Sequence, residues 1–149
     1  MIRAFILATI LATGLAPSVD LHSLLGKTAS EIDAVLGEPR FLTIPPDGPG
    51  PRKSGRGYDL EKGGMLDVDL CDGKAYGFHL NSGVSFPSPE ALLESVGLDS
   101  SAMTVAESGE GYQQRIGTLS GRSTNRLTLM VGSAGWSTLL VEFAGTPCS

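Results

Sequence analysis

Between residues 57 and 80, apolar and polar side chains take turns along the chain. "GYDLE" at 57–61, "MLDVDL" at 65–70 and, more loosely, "AYGFHL" at 75–80 alternate in this way. A period of two is that of a strand with one face on a core. The segments Lys62-Gly63-Gly64 and Cys71-Asp72-Gly73 separate the runs. As three-residue loops with glycine in the left-handed position, they set Leu60 opposite Leu66, Tyr58 opposite Val68, and Phe78 and Tyr76 opposite Leu66 and Val68. All the large apolar groups then share one face. A two-residue Asp72-Gly73 turn would set Asp67 opposite Phe78 and Asp69 opposite Tyr76 and reverse the faces, so the longer loop is expected.

Upstream the period changes. In "GKTASEIDAVLGEP", residues 26–39, the apolar residues Ile32, Val35 and Leu36 recur at helical spacing. Thr28 and Glu31 have the separation of a capping box, Gly37 suits a left-handed stop, and Pro39 prevents continuation. This predicts a short helix with one apolar stripe that has to lie on a sheet. "RFLTI" at 40–44 predicts a short strand. "PPDGPGPRKSGR" at 45–56 predicts a loop, because Pro45, Pro46, Pro49 and Pro51 cannot donate to a ladder.

The second half follows the same order. "PSPEALLESVGL" at 87–98 predicts a helix with Ser88 as cap, Pro89 at the first position, Leu92, Leu93 and Val96 as stripe, and Gly97 as stop. Strands are expected at 103–106, 111–118, 126–131 and 137–143. With Ala134-Gly135-Trp136 as the last hairpin loop, Leu127, Leu129 and Val131 meet Phe143, Val141 and Leu139 on the core face. The expected fold class is α+β. Two tandem helix-plus-antiparallel-strand repeats, about 22–82 and 83–149, form one curved antiparallel sheet with short helices packed on one face.

The first residues, "MIRAFILATILATGLAPSVD", place Arg3 before an apolar run from Ala4 to Ala12 and then small residues. That layout predicts a signal peptide over 1–18, cut after Ser18, and a single domain over 19–149. The apolar run is too short to span a bilayer, and no cysteine follows it for lipid attachment. A periplasmic or secreted location follows. With 20 Gly, 9 Pro and only 18% charged residues, turns are favoured over long helices. A net charge of −5 makes nucleic acid an unexpected partner. In an oxidising compartment Cys71 and Cys148 are expected to join; two separate thiols are the alternative.

The chain has no G-x-S-x-G, H-E-x-x-H, C-x-x-C or phosphate loop, so neither catalysis nor a cofactor or metal is expected. The hairpin register puts Asp59 across from Asp67 on the face away from the core, with Glu61 and Asp69 beside them and His79 one strand over. Like charges so placed weaken a strand pair, which admits three readings: a solvated face, a contact surface for a basic partner, or a site for a hard cation. Met130, Leu140 and Trp136 fall on or near the same side, where Trp136 either anchors a partner or packs against its neighbours. Arg52, Lys53 and Arg56 add cations from the 45–56 loop. These eleven residues are the partner-binding candidates of an exported, non-catalytic domain that binds another protein, as inhibitor or assembly factor. A structural envelope component recognising cell-wall or glycan material is one alternative. A metal-assisted hydrolase built on the acidic cluster, with His79 near Asp67 as the sole acid–base pair, is the other.

The pattern G-x-T-x-x-x-I-x-x-x-L-G-x-P, carried by Gly26, Thr28, Ile32, Leu36, Gly37 and Pro39 and followed by Tyr58 and "LDVDLCDGKAYGF", resembles the SmpA/OmlA (BamE-like) family of small outer-membrane lipoproteins. The doubling resembles the tandem fold of the β-lactamase inhibitor proteins. The resemblance implies helices on one side of a sheet and a protein-binding or envelope role for its exposed side and loops. It does not extend to a lipidated cysteine or to one disulfide within each repeat.

Overall fold

The structure, a computed structural model, describes residues 19–44, 47–119, 122–145 and 147–148. The signal-peptide segment 1–18 and Pro45 and Pro46 lie outside the described residues. Among the described residues three α-helices are seen: α1 (Leu21–Leu24), α2 (Ala29–Leu36) and α3 (Pro89–Glu94). At α2 the Thr28 hydroxyl accepts the Glu31 amide at 3.4 Å, while the Glu31 carboxylate accepts the Thr28 amide at 2.8 Å. Both halves of the expected capping box are therefore present. Gly37 ends the helix at φ +90°, a conformation that L side chains resist. At α3 the Ser88 hydroxyl accepts the Ala91 amide at 3.1 Å, with Pro89 next in the chain. A single turn is too short to show periodicity, so α1 has no sequence signal. It buries Leu21 and Leu24, and the Leu21 amide donates to the Val96 carbonyl at 3.0 Å.

Eight strands follow: β1 (Phe41–Thr43), β2 (Lys53–Asp59), β3 (Met65–Cys71), β4 (Lys74–Phe86), β5 (Met103–Gly109), β6 (Tyr112–Leu119), β7 (Arg122–Gly132) and β8 (Gly135–Phe143). They form one antiparallel sheet in the order β1-β2-β3-β4-β8-β7-β6-β5. Every neighbour is consecutive in the chain except β4 and β8, which join the two halves. Ile32, Leu92, Leu93 and Val96 share one buried cluster with Leu66, Val68, Phe78, Leu80, Leu127, Leu129, Leu139 and Val141. Each such side chain contributes roughly 1.5–3 kcal/mol by leaving water. Val35, expected in the helix stripe, is instead 67% exposed, so α2 rests on the sheet mainly through Ile32 and the half-buried Leu36.

The expected registers are corrected at all three hairpins. The loop between β2 and β3 spans 60–64, not three residues, and contains a 3-10 turn. Tyr58 therefore meets Leu66 rather than Val68, a slide of two positions that keeps every side chain on its expected face. The β3–β4 turn is the two-residue Asp72-Gly73, with φ of +48° and +80°, the positive values that tight hairpins need. A bulge between Leu70–Ala75 and Asp69–Gly77 then absorbs Tyr76, so Phe78 returns to the core opposite Val68. Tyr76, expected in the core, is left only half-buried. At the last hairpin the turn is Ser133-Ala134, and Leu127 and Leu129 meet Val141 and Leu139. A further bulge leaves Val131, expected in the core, 41% exposed.

Boundaries also move: β5 runs on to Gly109, β7 begins at Arg122, and α3 ends at Glu94 rather than at the expected stop, Gly97. β2 begins at Lys53, because the last proline of the loop is Pro51 and glycines do not block a ladder. β4 continues past Leu80 to Phe86. Cys71 and Cys148 are bonded, with Cα atoms 5.8 Å apart and a sequence separation of 77. The bridge ties the end of β3 to the segment after β8, strands that flank β4, and so clasps the joint between the halves. Closing so long a loop is worth roughly 4 kcal/mol in the chain-entropy model. Among the described residues, no helix is long and apolar enough to cross a membrane.

Candidate functional site: the open sheet face

Strand parity decides what the helix-free face carries. One row crosses six strands as Gly57, Asp67, His79, Leu140, Thr128 and Gln114. The row on one side runs Gly55, Asp69, Gly77, Glu142 and Arg126. The row on the other includes Met65, Asn81, Thr138, Met130 and Tyr112.

The carboxylates gather at the centre for a steric reason. Gly77 has no side chain, and a Cβ placed there would stand 3.2 Å from Asp69 Oδ2, so Asp69 leans over β4 at the position whose partner on β8 is Glu142. Burial pushes the Asp69 carboxyl above its ordinary value; the charges of Asp67 and Glu142 add to that, while His79 and Lys53 oppose it. The Tyr76 phenol is raised by burial and then by the charges of Asp69 and Glu142. Asp67 Oδ1 and Thr128 Oγ1 are shielded from solvent and have no hydrogen-bond partner among the described residues. On the β1 side the Phe41 ring lies over Gly57, where a Cβ would overlap it. An open cleft of about 190 Å³ is lined by Thr43, Lys53, Ser54, Gly55, Asp69 and Tyr76. A larger one of about 450 Å³ lies at the β3–β4 turn and includes Lys74, Tyr76 and Pro147.

The anticipated residues divide into those this face collects and those it does not. Asp67, Asp69, His79, Met130 and Leu140 belong to it, and Lys53 borders it at the start of β2. Asp59 keeps the open-face parity of β2, but it lies opposite Met65 rather than Asp67 and makes a 3.1 Å ion pair with Arg40. Glu61 sits exposed in the 3-10 turn, off the ladder. Trp136 is in β8, not in a loop; it pairs with Phe86 and Val131 and packs half-buried against the core. Arg56 is neither in a loop nor on this face. It is in β2 opposite Val68, and its guanidinium donates to both Asp33 oxygens at 2.7 and 2.8 Å. Of the three expected loop cations only Arg52 remains in a loop, where its amide donates to Asp72 Oδ1 at 2.9 Å.

Sequence reasoning missed Glu142, Tyr76 and Phe41. The first was legible, since Val141 and Phe143 face the core and the residue between them has to face away. Tyr76 was not, because alternation alone does not reveal a bulge.

Chemically, the face offers a cluster of carboxylates flanked by apolar side chains. His79 stands opposite Asp67 but is exposed, and no hydrogen bond joins them among the described residues. No group of three or more His, Cys, Asp or Glu side chains among the described residues is arranged to hold a metal ion. Comparison with protein-family models, with curated proteins and with solved structures returned no match.

Proposed function

We propose that this protein is an exported, non-catalytic domain that binds another protein through the open face of its sheet. The observation that carries this reading is the asymmetry of the sheet. Helices cover one face, while the other leaves half-buried Asp67, Asp69, Tyr76, Leu140 and Met130 without a covering element among the described residues. Mixed polar and apolar side chains held on rigid strands suit a contact surface. The Cys71–Cys148 bridge supports export, since such bonds persist in oxidising compartments. The strand order, with four consecutive strands from each half about the β4–β8 joint and a helix before each set, α2 and α3, supports descent from a doubled SmpA/OmlA-like or inhibitor-like unit, α1 being an addition to the first half.

The test is affinity capture from envelope extract with three proteins: the native chain, an Asp67→Asn/Asp69→Asn/His79→Ala variant, and a helix-side Glu31→Ala/Val35→Ser control. A protein retained by the native chain and the control but lost from the open-face variant is the expected result. Identical capture by all three would remove the sheet face from consideration. Retention on isolated cell-wall material alone would favour a glycan-binding role.

A further inference from the structure

We draw no further inference here: the strongest candidate, the carboxylate cluster of Asp67, Asp69 and Glu142 on the open sheet face, already has Lys53, His79 and Arg126 beside it, and nothing in the structure shows what covers it.

Discussion

α2 and α3 are fastened to the same sheet face by the same kind of contact, a helix carboxylate against a strand arginine, yet the two contacts differ in how dry they are. Asp33 of α2 meets Arg56 of β2 with side chains 33% and 21% exposed, and the Tyr58 hydroxyl donates to the same carboxylate at 2.7 Å. Glu90 of α3 meets Arg115 of β6, whose side chain is only 5% exposed and whose Nε also donates to Gln113 at 2.6 Å. If Asp33 is lost, Arg56 can turn to water. Arg115 is far more enclosed than Glu90, which is 49% exposed, so losing Glu90 would leave a mostly buried cation with the Gln113 oxygen as its remaining side-chain partner among the described residues. Burial, rather than the chemical type of the pair, therefore sets what each anchor is worth.

The largest expected effect follows directly. Glu90→Ala should cost about 3 kcal/mol by stranding the Arg115 charge. Asp33→Ala should cost about 1–2 kcal/mol, chiefly by orphaning the buried Tyr58 hydroxyl. Urea midpoints of the two variants measure the difference, and equal losses would erase the distinction between the anchors.

The caps sharpen the comparison on a smaller scale. Thr28→Ala removes a hydroxyl that both accepts the Glu31 amide and donates to the Glu31 carboxylate, leaving only the backbone arm of the box, and should cost roughly 1–2 kcal/mol, whereas Ser88→Ala breaks one bond and should cost roughly 0.5–1 kcal/mol. The reverse order in thermal or urea unfolding would show that tertiary contact, not capping, holds the first turn of α2.

Acid and alkali should separate the anchors next. The hydrogen bond from Arg115 holds the Glu90 carboxyl below its ordinary value of 4.5. The folded chain thus binds that proton less tightly than the unfolded one. The stabilisation from Glu90 is complete above pH 4.5 and drains as pH falls through the lower folded value. Tyr58 has the opposite sign: burial and then the bond to Asp33 push its phenol from 10 up to about 12. Its contribution is complete below pH 10 and is lost as pH rises through about 12. Carbon-13 NMR shifts of both helices through the two titrations should show α3 loosening first in acid and α2 first in alkali.

The smallest effect belongs to a carboxylate that makes no ion pair among the described residues. The Asp69 carboxyl is raised by burial and by its acidic neighbours, so its ionisation works against folding at neutral pH. Asp69→Asn should therefore stabilise the chain by about 0.5 kcal/mol at neutral pH, a typical size for a like-charge sheet contact. The gain should shrink as the pH falls through the raised folded value and vanish below the ordinary value of 3.8. A loss of stability at pH 7 would mean that Asp69 has a favourable partner in solution.

Much of this molecule was legible along the chain. Thr28, Glu31, Gly37, Ser88 and Pro89 mark the two longer helices, and alternation in "MLDVDL" separates Leu66 and Val68 from Asp67 and Asp69 as the structure does. The pairing of Cys71 with Cys148 agrees as well. The registers did not follow, because a hairpin register depends on loop length and bulges, and neither changes the residue pattern. The short Asp72-Gly73 turn looked wrong only because the compensating bulge at Tyr76 is invisible to alternation. The same limit misplaced Asp59, Val131 and Trp136. Arg56 looked like a loop cation because its partner Asp33 lies 23 residues away, and separation along the chain carries no sign of proximity in space.

Local rules act within a few residues, and for this protein they determined where α2 begins and stops, where α3 begins, and which strand positions are apolar. Only the folded chain decided which strands lie side by side, how far each slides past its neighbour, which carboxylates meet at Gly77, and which arginine is dry. Those outcomes depend on how eight strands share one sheet and on the volume left between it and the helices. Such quantities are set by all the elements at once.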